Sequence, residues 1–251
     1  GGPLADTGGG IATVYGLYGS YPLVRSDTGD LTVSTNLDYK RMSDTTQTVS
    51  SRVRTAKTLG FQLGGYRRGS LLGLPNALQF EMGLTGGNLQ DDIDFKNLTT
   101  RGNYAKTMQM VRLTQALRQD VYLDLSLNAQ QASHDLDGSE KMVLGGPNAV
   151  RAYSNEVPSA DSGYLASANL SVAVPKVKGL TAQVFYDYAQ GKLQKFSSRD
   201  STVILAGYGF GLNYTVSGHA VANLSYAMRT GREDLRGQNK AMVWASAVVR
   251  F

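Results

Sequence analysis

The sequence has no cysteine, a single tryptophan, two histidines and six prolines. Without cysteine there is neither a disulfide framework nor a cysteine-ligated zinc site. Six prolines beside 29 glycines do not make a disordered low-complexity chain. No run of about 18 apolar residues occurs, which excludes a membrane-spanning helix. Charged residues are only 18% of the chain, and the formal net charge of +5 is spread along it. With no basic tract, nucleic acid is not an expected partner. The opening "GGPLADTGGG" lacks the basic and apolar regions of a signal peptide, so any export signal is expected upstream or already removed.

What is present is length, tyrosine and alternation. The chain has 251 residues, enough to bury a sizeable core, and 14 tyrosines against 7 phenylalanines. Its mean hydropathy of -0.23 suits a soluble protein, but equally a membrane β-barrel, in which every second residue faces a polar lumen. In "LTVSTNLDYKR", Leu31, Val33, Leu37 and Tyr39 oppose Thr32, Ser34, Asn36, Asp38 and Lys40. In "ALQFEMGLT", Leu78, Phe80, Met82 and Leu84 oppose Gln79, Glu81, Gly83 and Thr85. In "VYLDLSLNAQ", Val121, Leu123, Leu125 and Leu127 oppose Tyr122, Asp124, Ser126, Asn128 and Gln130. Period two of this kind puts one strand face in an apolar medium and the other in a polar one.

Eleven such strands are expected, near 11–21, 31–41, 55–66, 77–87, 104–117, 121–132, 164–174, 180–190, 202–214, 219–229 and 241–251. Most are long enough to cross a bilayer at a tilt, whereas strands of soluble proteins average about five or six residues. Their connections alternate in kind. Compact ones at 22–30, 67–76, 118–120, 175–179 and 215–218 alternate with longer polar ones at 42–54, 88–103, 133–163, 191–201 and 230–240. Short turns on one side and long loops on the other describe an all-β, antiparallel transmembrane barrel of outer-membrane type. The last segment alternates Val243, Ala245, Ala247 and Val249 up to a terminal Phe251, with Trp244, Ser246 and Arg250 on its other face. Such an end resembles the signal by which bacterial outer-membrane barrels are recognised by the barrel-assembly machinery. Bacterial single-chain barrels usually have an even number of strands, so further strands are expected upstream.

The connection at 133–163 is about thirty residues long and carries "LGGPNAVRAY". Loops of that length are usually functional or disordered, and its apolar run and Gly-Gly-Pro break argue against disorder. Two downstream strands offer it a seat. On 180–190, Leu180, Ala182, Val184, Tyr186 and Tyr188 face out, leaving Gln183, Phe185 and Asp187 facing in. On 202–214, Ile204, Ala206, Tyr208, Phe210 and Leu212 face out, and Gly207, Gly209 and Gly211 form a side-chain-free inward stripe. Glycines in a strand mark close approach of another backbone. The loop is therefore expected to fold into the barrel over this stripe and to pair Arg151 with Asp187.

These residues resemble the two-partner secretion transporters, outer-membrane proteins that export haemolysins and filamentous-haemagglutinin-like adhesins and share a superfamily with the barrel-assembly insertases. "LGGPNAVRAY" looks like the family's Val-Arg-Gly-Phe/Tyr loop with its preceding Gly-Gly-Pro, here Gly145, Gly146, Pro147, Val150, Arg151 and Tyr153. "FYD" at 185–187 is similar to the family's Phe-x-Asp motif, and "ASAVVRF" to its C-terminus; "YGSYPLVRS" is a weaker match. Ala152 departs from the pattern, standing where the family usually has glycine, so either that position needs no positive φ here or the loop tip is rearranged. The resemblance implies a sixteen-stranded barrel preceded by periplasmic POTRA domains and a plug helix. This chain would supply the last eleven strands, with neither POTRA domains nor first strands. It further implies passage of an unfolded secreted exoprotein to the surface, with Arg151 and Asp187 as a conformational lock and no enzymatic site or cofactor. The partners expected are that exoprotein, outer-membrane lipid and the assembly machinery, at a Gram-negative outer membrane. A barrel-assembly insertase and a passive porin are the competing readings.

Other motifs are weaker. His134 and His219 lie on different connections and form no metal or catalytic pattern. "GYGFG" has no following helix to receive a phosphate. "QDDID" at 90–94 reads as a solvated acidic loop, and Tyr164 and Tyr188 as members of an interfacial aromatic girdle.

Overall fold

The computed structural model describes residues 9–46, 49–91, 100–193, 201–216, 220–230 and 239–249. Eleven strands follow one another in a single antiparallel sheet whose spatial order is the chain order. They are β1 (Gly9–Ser26), β2 (Gly29–Thr46), β3 (Val49–Leu71), β4 (Leu74–Asp91), β5 (Gly102–Arg118) and β6 (Val121–Ala132). After a long connection come β7 (Ser162–Ala173), β8 (Leu180–Lys192), β9 (Thr202–Val216), β10 (Ala220–Arg229) and β11 (Ala241–Val249). Among the described residues β1 and β11 are not bonded to each other, so the sheet is open.

All eleven expected strands are present, but several extend further than the hydrophobic pattern. The segment 42–54, read as a long loop, is mostly paired strand, with Ser43 opposite Val53 and Asp44 opposite Arg52. The backbone ladder needs only N–H and C=O groups, so it continues where side chains have turned polar. For the same reason the compact connection at 67–76 shrinks to two residues. Leu72 and Gly73 both take left-handed φ, 55° and 75°, matching the twist that two-residue hairpins favour. In β1 the register shifts between Pro22 and Val24, where proline cannot donate to the ladder.

Alternation gives the sheet two unlike faces. On β8, Val184 and Tyr186 are 56% and 47% exposed, whereas Phe185 and Asp187 are buried. On β9, Tyr208, Phe210 and Leu212 are exposed while Val203, Leu205 and the intervening glycines are covered. A sheet that hides its carboxylates and presents its large apolar side chains is built for an apolar surrounding. Tyr164 and Tyr188 stack on this outer face, ring centroids 5.9 Å apart, and both hydroxyls donate to Gln190 Oε1.

The main buried cluster lies between residues 133–161 and the opposite, inner face of the sheet. Leu144, Val150, Ala152, Tyr153, Val157 and Ala160 pack on Leu165, Phe185, Ala189, Val203, Leu205 and Ala227. Each fully buried Leu or Val side chain contributes about 1.5–3 kcal/mol, enough together to order a long connection. The inner face of β9 is thus not only glycine: Val203 and Leu205 are apolar because the connection, not water, covers them.

Candidate functional site

The tip of the 133–161 connection is built from its sequence. Ala149 N–H donates to Gly146 O at 3.1 Å, closing a turn around Pro147 and Asn148. Proline presets the backbone of the second turn position. Gly146 has φ +116°, and the Asn155 side-chain oxygen occupies the place where a Cβ would stand, so this glycine is required twice over. A Cβ at Gly145 would come within 2.6 Å of Ser154 O. Val150 N–H donates to Leu144 O and Tyr153 N–H to Val150 O, tightening the chain around Arg151. Met142 and Ala160 bridge the two limbs of the loop by a reciprocal hydrogen-bond pair.

Arg151 points from this tip onto β8. Its Nε donates to Asp187 Oδ2 at 2.8 Å, its Nη2 to Oδ1 at 2.7 Å, and its backbone N–H to Oδ2 at 3.1 Å. Ser167 Oγ, directly opposite Asp187 in the ladder, also donates to Oδ1 at 2.6 Å. Nη2 reaches further to Ser167 Oγ and Asn169 Oδ1, and the guanidinium lies 3.4 Å over the Phe185 ring. The side chains are 13% and 1% exposed. A two-pronged, desolvated arginine–carboxylate pair with its remaining lone pairs filled has a fixed geometry, unlike a surface ion pair.

Ser167 and Asn169 join the site from the polar face of "YLASANLSVA", opposite Asp187 and Phe185, a signal that becomes specific only with the register of β7 on β8. Trp244 joins it from the polar face of the last strand. Its indole N–H donates to Arg151 O at 2.7 Å, tying β11 to the tip. Arg229 of β10 lies 5.2 Å from the Tyr153 ring centroid.

The glycines of β9 serve different neighbours. At Gly207, Ala152 Cβ occupies the position an added Cβ would take. At Gly209 the place is held by the Phe185 ring and Tyr226 O, and at Gly211 by Gln183. The expected loop-covered stripe is therefore a correction in detail: loop atoms fill Gly207, while β8 side chains fill the other two. Ala152 is not among the residues with left-handed φ. Phe251 and His219 lie outside the described residues.

The stem of the connection carries a second polar cluster, absent from the sequence reading. Asp137 accepts from Ser139 N–H and Oγ and from Arg54 Nη1 of β3. Glu140 holds Lys40 Nζ of β2 and Lys106 Nζ of β5, each at 2.8 Å. Burial pushes both carboxyls up, but these donors and cations outweigh it and hold them below the usual range. Asp161, paired with Lys141 at 2.9 Å, goes the other way: burial outweighs its partners and raises it. Between the tip and β5–β8 a polar cavity of about 370 Å³ is lined by Arg112, Asp124, Ser126, Asn128, Asn148 and Gln183 among others.

A family model described as "Haemolysin secretion/activation protein ShlB/FhaC/HecB" matches residues 10–214, most of the chain. The chain belongs to this family. Its members are outer-membrane β-barrels of Gram-negative bacteria. The heme/hemopexin transporter protein HuxB of Haemophilus influenzae strain 86-028NP is 24% identical over 249 residues, covering 94% of this chain and 44% of HuxB. HuxB of the Rd strain is 24% identical over 255 residues, covering 96% and 45%. The chain thus spans less than half the length of these relatives. Among solved structures, CdiB from Escherichia coli superposes with a TM-score of 0.74 at 22% identity, covering 96% of this chain and 46% of CdiB. CdiB from Acinetobacter baumannii gives 0.69 at 17% identity, with 96% and 42% covered. These likenesses show the same fold.

Proposed function

We propose that the chain forms the plugged channel wall of a transporter that passes a secreted partner protein, in extended form, across the outer membrane. In this reading the inner face lines the lumen, the eleven strands are the last of sixteen, and the 133–161 connection is the plug. Arg151 and Asp187 lock it. The observation that carries the reading is the seating of the Val-Arg-Ala-Tyr tip on Phe185, Asp187 and Gly207 by a buried ion pair and an apolar cluster. Family membership supports the direction of transport, and the polar cavity beside the tip suits a backbone that must stay hydrogen-bonded in transit.

The test is secretion by charge-reversed variants of the full-length protein. Asp187→Arg leaves two buried cations facing each other; breaking such a pair costs about 3–5 kcal/mol. Secretion should stop, or the folded barrel should lose stability, and Arg151→Asp combined with Asp187→Arg should recover part of it. Unchanged secretion by Asp187→Arg would rule out the lock.

A further inference from the structure

The plug is held at two places on different strands of the sheet's inner face. The tip is seated on β7–β9. The stem, a single 3-10 turn at Gly138–Glu140 capped by Asp137, reaches instead to β2, β3 and β5. Lys40, Arg54 and Lys106 lie in the long-loop halves of their strands, whereas Asp187 is near the middle of β8. Neither group shares a residue with the other.

The stem contacts are made as thoroughly as those of the tip. Glu140 places one oxygen on each lysine, and its side chain and that of Lys106 are 7% and 9% exposed. Lys106 Nζ also donates to Glu140 O at 3.1 Å, and Gln130 Nε2 donates to both Glu140 O and Asp161 O at 3.1 Å. Asp137 pairs with Arg54, side chains 6% and 14% exposed, and its other oxygen caps the turn that presents Glu140. Strands that are remote in sequence are thus joined through two loop carboxylates. A released tip would still be tethered by its stem.

We propose that Asp137 and Glu140, gripped by Lys40, Arg54 and Lys106, form a second clasp that keeps the plug in the channel independently of Arg151 and Asp187. Opening for transport then requires both clasps to be undone. The assignment rests on the reading of the connection as a plug.

The experiment is planar-bilayer recording of the full-length protein in four forms: parent, Arg151→Ala, Asp137→Asn with Glu140→Gln, and all three substitutions together. Heat-modifiable gel migration establishes that each barrel is folded. Two independent holds predict brief openings for either partial variant and, for the combination, an increase in open probability over the parent near the product of the two partial increases. Lys106→Glu with Glu140→Lys should recover part of the closure that Glu140→Lys alone loses, since Lys40 stays unpaired in both; this separates a charge clasp from a merely structural turn and serves if the neutral variants fail to fold. If Arg151→Ala alone is as open as the combination, the second clasp is wrong and the plug stands. If the folded combination stays as closed as the parent, the plug reading falls with it.

Discussion

Replacing Gly207 by alanine should loosen the plug, and shrinking Ala152 should restore it. Gly207 has no left-handed φ, so its backbone accepts alanine and only space opposes the change. An added methyl would fall where Ala152 Cβ already is, and 3.0 Å from Met228 O. Overpacking a filled contact costs about 1–3 kcal/mol. Since each 1.4 kcal/mol is a factor of ten, the undocked fraction should rise roughly five- to 150-fold. Arg151 is nearly covered when docked, so tryptic cleavage after it reports undocking in folded barrels. Gly207→Ala should be cleaved faster than parent. Ala152→Gly with Gly207→Ala moves the methyl from loop to wall and should return most of the protection, short of what Met228 O takes back. Equal cleavage of parent and Gly207→Ala, or no protection from adding Ala152→Gly, would refute the proposed contact.

Other changes have equally definite outcomes. Trp244→Phe removes the donor to Arg151 O and should cost about 1 kcal/mol of loop docking, read in the same cleavage assay. The carboxyls of Asp137 and Glu140 lie below their usual range, so their contribution is present above the unfolded values of about 4 and lost as pH falls through the depressed folded ones. Protection of the loop should therefore decline in acid, and Asp137→Asn with Glu140→Gln should flatten that decline. Asp161, raised by burial, opposes it, its contribution being lost as pH rises through its folded value. Tyr186→Arg on the outer face should destabilise the barrel by about 2–4 kcal/mol if it lies near the bilayer midplane, measured by denaturant unfolding in vesicles.

Strand existence, face assignment and the antiparallel order were legible because period two is a direct consequence of a sheet between unlike media. Strand ends were not, since at 42–54 the ladder outruns the apolar pattern. At the tip, Gly146, Pro147 and Arg151 could be read because each has a specific local requirement. Partners that depend on register escaped: Ser167 and Asn169 look like any polar strand residues until β7 is laid against β8. Lys40, Arg54 and Lys106 escaped for a stronger reason. Nothing local distinguishes a lumen cation from a solvated one, and their partners are up to 100 residues away. Ala152, odd against its motif, is accommodated by the glycine beneath it, Gly207, which no local pattern pairs with it.

The central claim is that the 133–161 connection closes a channel and that Arg151 and Asp187 keep it closed. Single-channel conductance of the full-length protein with and without Asp187→Arg tests this most directly. The parent should be shut most of the time, and the folded Asp187→Arg variant should show added brief openings while the stem still holds the loop. A parent that conducts as a permanently wide pore, unchanged by Asp187→Arg, would contradict the claim.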